Sequence, residues 1–147
     1  MRLMKTTVLG EDHMQEETQA FVAGLSAAQG KATLVTLSGD LGAGKTTFVK
    51  GIAKALGITE HVTSPTFVIM KIYDLENQSF ARLVHMDAYR LKGRKHLKVL
   101  GWDELLQDPK NLIVVEWPEK IAEAIPRDAK RITFGYSDED TRQIRYE

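Results

Sequence analysis

A glycine-rich segment, SGDLGAGKTTF, contains the residue types that hold phosphate groups. Gly39 is followed, after four residues, by Gly44, Lys45 and Thr46, which is the G-x-x-x-x-G-K-[ST] spacing of a loop that binds nucleoside triphosphates. Gly39, Gly42 and Gly44 lack a Cβ and adopt positive φ angles easily, so the backbone can curl its N–H groups around phosphate oxygens. The segment therefore predicts a triphosphate site.

The last residues of this loop have separate predicted roles. Lys45 would reach the β- and γ-phosphates, the Thr46 hydroxyl would ligate Mg²⁺, and Thr47 could donate to the α-phosphate. A helix that begins here would present its positive N-terminal end to the same anion. Chemistry on the triphosphate also requires a carboxylate for the Mg²⁺ shell and a group that senses the γ-phosphate.

Two acidic residues are candidates for that carboxylate. Glu116 directly follows the apolar run NLIVV, and Asp87 follows RLVHM. Both runs predict strands, and the carboxyl ends of parallel strands form the edge of a sheet at which nucleotides bind. Either acid could serve in the metal shell, and Glu116 has the more central predicted strand.

Other polar and aromatic residues could complete the site. Thr66 lies in the polar segment TSPTF, which could act as a switch that reaches Mg²⁺ or the γ-phosphate. His85, Asp87 and Tyr89 alternate along the sequence, so an extended chain would place them on one side. Trp117 is predicted to pack in the core or to cover the site, with stacking and partner contact as alternative roles.

Hydrophobic periodicity, glycines and prolines predict the elements that position these residues. Helices are predicted at 11–28, 45–56 (closed by Gly57), 96–107 and 118–125. Strands are predicted at 31–38, 64–76, 78–91, 111–117, 130–136 and 142–147, with a hairpin of 64–76 and 78–91 and an antiparallel pair of the last two.

This order of elements predicts the fold class. A strand, a glycine loop and a helix, followed by further strands, indicate an α/β protein: a three-layer sandwich like that of P-loop NTPases, with a mixed parallel and antiparallel sheet. The 147 residues, 43% of them hydrophobic, suffice for one compact domain, and the sequence has no repeat or linker-like tract. We therefore expect a single P-loop domain over residues 1–147.

Composition excludes several classes of function. The sequence has no cysteine, which excludes disulfides, cysteine nucleophiles and thiolate metal sites. Basic and acidic residues number 20 each, and this balance argues against a free-standing nucleic-acid-binding protein. The longest apolar run is LIVV, so neither a signal peptide nor a membrane span is predicted. We expect a soluble, cytoplasmic protein.

Five motifs taken together resemble the TsaE family. SGDLGAGKTTF, SPTF, HMDAYRL, LGWDELL and VVEWPEK occur in the order and spacing of these small P-loop ATPases, which are needed to make the threonylcarbamoyladenosine modification of tRNA. The resemblance extends from about Gln15 to Arg142. Two features differ from the family pattern: Ala88 stands where leucine is usual, and KGRKHLKVLG is basic where the family is commonly acidic.

The resemblance implies a cofactor, partners and residue roles. It implies ATP and Mg²⁺, with Thr46 and Glu116 in the metal shell and Asp87 near the metal or its water. It also implies TsaD and TsaB as protein partners, with tRNA reached indirectly through their complex. Because the sequence shows no internal arginine finger of known position, we expect slow hydrolysis by the chain alone. The nucleotide contacts that the resemblance implies are Gln15, Gly42, Ala43, Gly44, Lys45, Thr46, Thr47 and Arg142, with Thr66 in the switch-like loop and His85, Asp87, Tyr89 and Arg90 in the second motif.

Other functions remain compatible with the phosphate loop. A small-molecule kinase would use Arg90 and Arg94, four residues apart, as lid arginines on a transferred phosphoryl group. A GTPase is less well supported, because the sequence has no N-K-x-D motif to read guanine. A binding module that hydrolyses nucleotide only to reset a complex differs little from the ATPase hypothesis.

Overall fold

The computed structural model describes residues 4–40, 44–60, 69–138 and 141–147. The predicted site residues Gly42, Ala43 and Thr66 lie outside the described residues. Within these ranges the chain forms seven strands, four α-helices and one 3₁₀ helix. The strands are β1 (Met4–Leu9), β2 (Thr33–Ser38), β3 (Met70–Asp74), β4 (Arg82–Asp87), β5 (Asn111–Glu116), β6 (Lys130–Asp138) and β7 (Thr141–Tyr146). The helices are α1 (Gly10–Ala23), α2 (Lys45–Ala55), α3 (Arg94–Val99), α4 (Trp102–Gln107) and the 3₁₀ helix Pro118–Ala124.

The strands form one mixed sheet in the order β1-β7-β6-β2-β5-β4-β3. The pairs β6–β2, β2–β5 and β5–β4 are parallel, whereas β3 pairs antiparallel with β4, and β6, β7 and β1 form an antiparallel flank. Every residue of β5 is buried, which its continuous apolar run predicts for a strand covered on both faces. The four central strands therefore end at one carboxyl edge.

Two apolar layers cover the two faces of the sheet. Alternating strand residues such as Leu83 and Leu112 join the layer that contains Phe48 of α2. Their neighbours Val84 and Ile113 join the layer that contains the helices after β4. The arrangement is a three-layer sandwich with a mixed sheet, and the predicted fold class is confirmed.

α1 and α2 pack unusually closely on the first of these faces. A Cβ added at Gly51 of α2 would clash with Oγ1 of Thr18 on α1. Thr18 is fully buried, and its hydroxyl donates to the backbone carbonyl of Gln15 at 2.9 Å. The absence of a side chain at position 51 therefore lets α1 approach the helix that follows the phosphate loop.

Several predicted boundaries were wrong. α1 ends at Ala23 instead of residue 28, and the strand predicted at 78–91 ends at Asp87. The helical pattern at 96–107 is split into α3 and α4 by Gly101, whose φ of 74° ends α3 and begins α4. The segment after Pro118 is a 3₁₀ helix, and the hairpin and the C-terminal antiparallel pair are confirmed.

Candidate functional site

Three neighbouring strands of the sheet bring polar residues to its carboxyl edge. Asp87 at the end of β4 pairs in register with Glu116 at the end of β5, and Glu116 pairs with Leu37 of β2. Gly39 follows β2 directly, and α2 begins at Lys45. The parallel topology thus places both predicted carboxylates beside the phosphate-loop helix, where ligands bind in open α/β sheets.

Glycine is required at the first position of the loop. Gly39 has a φ of 138°, and a Cβ there would lie 2.6 Å from the carbonyl oxygen of Phe134 on β6. Gly44, the residue before α2, has a φ of 109°. Sequence reasoning attributed both glycines to phosphate binding, and the structure adds a packing constraint at Gly39 that only the pairing of β2 with β6 creates.

The first turn of α2 suits an anion. It contains no acidic residue, and its residues include Lys45, Thr46 and Thr47. Both threonines are half-buried. Because the N-terminal end of a helix has a partial positive charge and unpaired N–H groups, this turn favours a phosphate.

Lys45 is almost completely buried, with 4% of its surface exposed. Its ammonium group donates to the carbonyl oxygen of Gly39 and lies 3.6 Å from the centroid of the Trp117 ring. Burial lowers the pKa of Lys45 below 10.5, and the negative charges of Glu116, Glu119, Asp87 and Asp40 oppose that shift. The ammonium group is therefore a desolvated cation with acidic neighbours.

His85 and Glu116 form a buried pair. Nε2 of His85 lies 2.7 Å from Oε2 of Glu116, and the two residues are 0% and 3% exposed. Because a carboxylate accepts hydrogen bonds, this contact fixes Nε2 as the protonated nitrogen. Among the described residues, Nδ1 of His85 has no hydrogen-bond partner. His85 therefore orients one oxygen of Glu116 at the strand end.

The alternation of His85, Asp87 and Tyr89 predicted that their side chains share one face of an extended chain, but the strand ends before Tyr89. β4 ends at Asp87, whose Oδ1 accepts a hydrogen bond from the backbone N–H of Tyr89 at 2.9 Å. This contact closes a local turn, so His85 stays buried while Tyr89 is 55% exposed. The prediction of a shared face is correct for His85 and Asp87, which both belong to β4, and wrong for Tyr89.

Trp117 covers Lys45, in agreement with one of its predicted roles. It has a left-handed φ of 59°, and its backbone N–H donates to the carbonyl of Leu37 at 3.3 Å. Its ring contacts Tyr89 edge-on, with the ring centroids 5.2 Å apart. Sequence reasoning missed the contact with Lys45, because it depends on the turn that the chain makes after β5.

The two predicted nucleotide contacts outside the loop occupy different places. Arg142 of β7 approaches the loop: its Cγ would lie 3.9 Å from a Cβ at Gly44, and its guanidinium stacks 4.3 Å from the Tyr136 ring centroid. Oε1 of Gln15 accepts a hydrogen bond at 3.3 Å from Lys54, one of the last residues of α2. Arg142 thus lies against the loop, whereas Gln15 contacts the opposite end of α2.

The described ranges contain no group of three or more His, Asp or Glu side chains that could hold a metal ion. Mg²⁺ commonly binds through one or two carboxylates together with substrate phosphates and water. The prediction of Thr46 and Glu116 as Mg²⁺ ligands requires a shell of this kind.

Membrane-spanning segments are a separate question. No helix of the described residues is long and apolar enough to cross a membrane.

Comparison with known proteins assigns the family. The family model described as threonylcarbamoyl adenosine biosynthesis protein TsaE matches residues 12–144. The chain belongs to the TsaE family. The tRNA threonylcarbamoyladenosine biosynthesis protein TsaE of Bacillus subtilis (strain 168) is 43% identical over 132 residues, which cover 89% of this chain and 79% of that protein. The protein of the same name from Streptomyces coelicolor is 43% identical over 109 residues, with 74% and 72% covered.

A solved structure agrees with this family assignment. A crystal structure of Bacillus subtilis YdiB is similar, with a TM-score of 0.78 and 31% sequence identity, over 99% of this chain and 84% of that one. The similarity extends over almost the whole of this chain. The fold of this TsaE family member therefore also occurs in a protein determined by crystallography.

Proposed function

We propose that this chain is an ATP-binding and Mg²⁺-dependent ATP-hydrolysing accessory protein of tRNA N6-threonylcarbamoyladenosine biosynthesis. It acts in the cytoplasm as a nucleotide switch on a complex of TsaD and TsaB, and it reaches tRNA through that complex. The observation that supports this proposal best is the buried ammonium group of Lys45, which lies at the head of α2 with Glu116 and Asp87 at the adjoining strand ends.

The charges at this edge fit a Mg²⁺-bound triphosphate. Burial removes the ammonium group of Lys45 from water, and negatively charged phosphate oxygens would replace the lost hydration. The α2 N-terminus would add backbone N–H donors. Gly42, Ala43, Gly44 and Thr47 would complete the phosphate cradle, and Gln15 and Arg142 would contact the rest of the nucleotide.

The two acidic residues, Glu116 and Asp87, would bind the metal ion and its water. Glu116 and the Thr46 hydroxyl would hold Mg²⁺, and His85 would keep the Glu116 carboxylate in place. Mg²⁺, when bound, would neutralise phosphate charge during hydrolysis. Asp87 is half-buried, and one of its oxygens is already bonded to Tyr89, which leaves the other for the metal or its water.

The switch role would belong to Thr66 and to the residues that cover Lys45. Trp117 and Tyr89 form an aromatic wall next to Lys45, and Tyr89 is solvent-exposed, so a partner protein could contact it. Binding of γ-phosphate by Lys45 would compete with its contact to the Trp117 ring. A partner that contacts Tyr89 would then sense whether the lysine has moved.

The test is steady-state ATP turnover with and without purified TsaD and TsaB. We expect slow turnover by the chain alone and a clear increase with both partners, abolished in Lys45→Ala. Rapid turnover that the partners leave unchanged would contradict the switch. Transfer of phosphate to an added small-molecule acceptor would instead support the kinase alternative with Arg90 and Arg94, which are both exposed.

A further inference from the structure

The segment that follows the site carries a concentrated positive charge. Residues 90–98, hereafter the basic segment, extend from the turn after β4 through most of α3. Five Lys or Arg residues and one histidine occur there without an acidic residue: Arg90, Lys92, Arg94, Lys95, His96 and Lys98. This density is well above that of the chain as a whole, in which charged residues of both signs amount to 27%.

All six basic side chains of this segment are exposed. The ion pairs of the described ranges involve Lys31, Arg82 and His85, so none of them includes a residue of the basic segment. The one side-chain hydrogen bond seen within the segment is accepted by Nδ1 of His96 from the backbone N–H of Lys92, at 3.4 Å. The lysine ammonium groups are therefore open to an external anion.

The charge of the whole molecule is distributed unevenly. The chain has 20 basic and 20 acidic residues, of which the basic segment contains five and none respectively. The remaining residues therefore include fifteen basic and twenty acidic ones. The net charge of zero thus combines a positively charged basic segment with a negative charge on the rest of the chain, and a basic segment of this kind attracts polyanions locally.

The basic segment is continuous with the wall of the nucleotide site. Tyr89, directly before it, is 55% exposed, and its ring contacts Trp117, which covers Lys45. Val99, directly after the segment, is 86% exposed. Exposed aromatic and apolar groups beside lysines are typical of surfaces on which unpaired bases stack while phosphates contact the cations.

We propose that the basic segment binds the phosphate backbone of RNA, with Tyr89 as a platform for an unstacked base. The choice of RNA among polyanions rests on the proposed function in tRNA modification. The basic residues and Tyr89 of this surface are exposed, unlike Lys45, and the surface shares Tyr89 and Arg90 with the second motif. It would therefore add a direct contact between this chain and RNA to the indirect route through TsaD and TsaB, and would bring RNA next to the ATP-dependent switch.

The test measures binding of an unmodified, fluorescently labelled tRNA transcript by anisotropy over a series of salt concentrations. The variant Lys92→Gln/Lys95→Gln/Lys98→Gln removes three charges from the basic segment. The matched control Lys50→Gln/Lys110→Gln/Lys130→Gln removes three exposed lysines elsewhere and leaves the same net charge. Thermal melting and ATP binding of both variants verify that each is folded.

We expect the segment variant to bind tRNA about tenfold or more weakly than the control at about 100 mM salt. Each lost phosphate contact removes about 0.7–0.9 from the slope of log affinity against log salt, so the slope should fall by about two to three. Tyr89→Ala should weaken binding further, whereas Tyr89→Phe should not. Equal losses in the segment and control variants would overturn the proposal, because they would reflect net charge alone.

Two further outcomes would also overturn it. One is the absence of tRNA binding by the wild-type chain even at low salt. The other is unchanged tRNA binding by the segment variant together with a loss of affinity for TsaD and TsaB, which would assign the surface to an acidic protein. Because tRNA binding is measured without ATP turnover, failure of this inference leaves the turnover test unaffected, and failure of the turnover test leaves this binding result interpretable.

Discussion

Lys45 and the lysines of the basic segment have the same ammonium group in opposite environments. Lys45 is 4% exposed and held between a carbonyl and an indole ring, and burial lowers its pKa. Lys92, Lys95 and Lys98 are exposed. A buried cation without a full counter-ion is costly and indicates a ligand that completes it, whereas exposed cations act together through a screened field.

The comparison predicts different kinds of sensitivity. A single substitution at the buried site should have a large effect that salt changes little, because the interactions there are short and poorly screened. Single substitutions in the basic segment should have small effects that depend on salt, because each cation contributes one of several similar contacts. The following variants test residues of the buried site around Lys45, from the largest expected effect to the smallest.

Among substitutions at the strand ends, Glu116→Gln should have the largest effect on turnover. The amide keeps the shape of the side chain but loses the charge that would hold Mg²⁺, so we expect a loss of at least a hundredfold in partner-stimulated turnover. Glu123→Gln, an exposed residue of the 3₁₀ helix, is the matched control. Turnover near the wild-type value in Glu116→Gln would transfer the metal role to Asp87.

His85 should affect turnover indirectly, by orienting the carboxylate of Glu116. His85→Leu removes the donor at 2.7 Å, and we expect turnover to fall by about 10- to 100-fold, as for other residues that orient metal ligands. His85→Gln places an amide N–H near the position of Nε2 and should restore part of the rate and of the Mg²⁺ affinity. A merely structural role would instead lower the melting temperature in both variants without a difference in their Mg²⁺ dependence.

The sequence predicted the part of this site that local chemistry determines. Gly44, Lys45 and Thr46 occupy the expected loop and first helical turn, and Glu116 and Asp87 lie at the ends of adjoining parallel strands. These placements follow from motif spacing and from the apolar runs before each acid. They could be predicted because the residues that determine them are neighbours in the sequence.

What the sequence could not predict depends on contacts between distant segments. The cover of Trp117 over Lys45 requires a left-handed residue after β5, where a bulky side chain rarely has a positive φ. Tyr89 was expected on the face of His85, but the Asp87 carboxylate ends the strand by accepting its N–H. β1 was missed; it lies at the edge of the sheet, and among the described strands it pairs with β7 alone.

Tryptophan fluorescence can follow the contact over Lys45. The chain has two tryptophans, and Trp102 is 3% exposed with Nε1 donating to the carbonyl of Ala124 at 3.3 Å. We expect ATP with Mg²⁺ to change the emission of Trp117 as the ammonium group turns toward phosphate. Trp117→Phe should therefore lose most of the change and Trp102→Phe should keep it, and the opposite pattern would contradict movement at Lys45.

Lys45→Met should produce the smallest effect, a gain in stability of the nucleotide-free protein by about 1 kcal/mol, or roughly 2–4 °C in Tm. Since burial lowers the pKa of Lys45, the charged form is costly below that pKa; the cost shrinks as pH rises above it and vanishes above the ordinary value of 10.5. The gain should therefore be greatest near neutral pH and shrink at alkaline pH. Thermal melts with Lys50→Met as the control would detect it, and a lower Tm at neutral pH would contradict a costly charge.

Calorimetric titration of ATP with Mg²⁺ into the isolated chain tests the central claim most directly. Lys45→Ala and Lys50→Ala remove a lysine from the same helix, one from the buried position and one from an exposed position. We predict saturable binding by the wild-type chain and by Lys50→Ala, and at least a hundredfold weaker binding by Lys45→Ala. Equal ATP affinity in the two variants would contradict the assignment of the triphosphate to the carboxyl edge of the sheet.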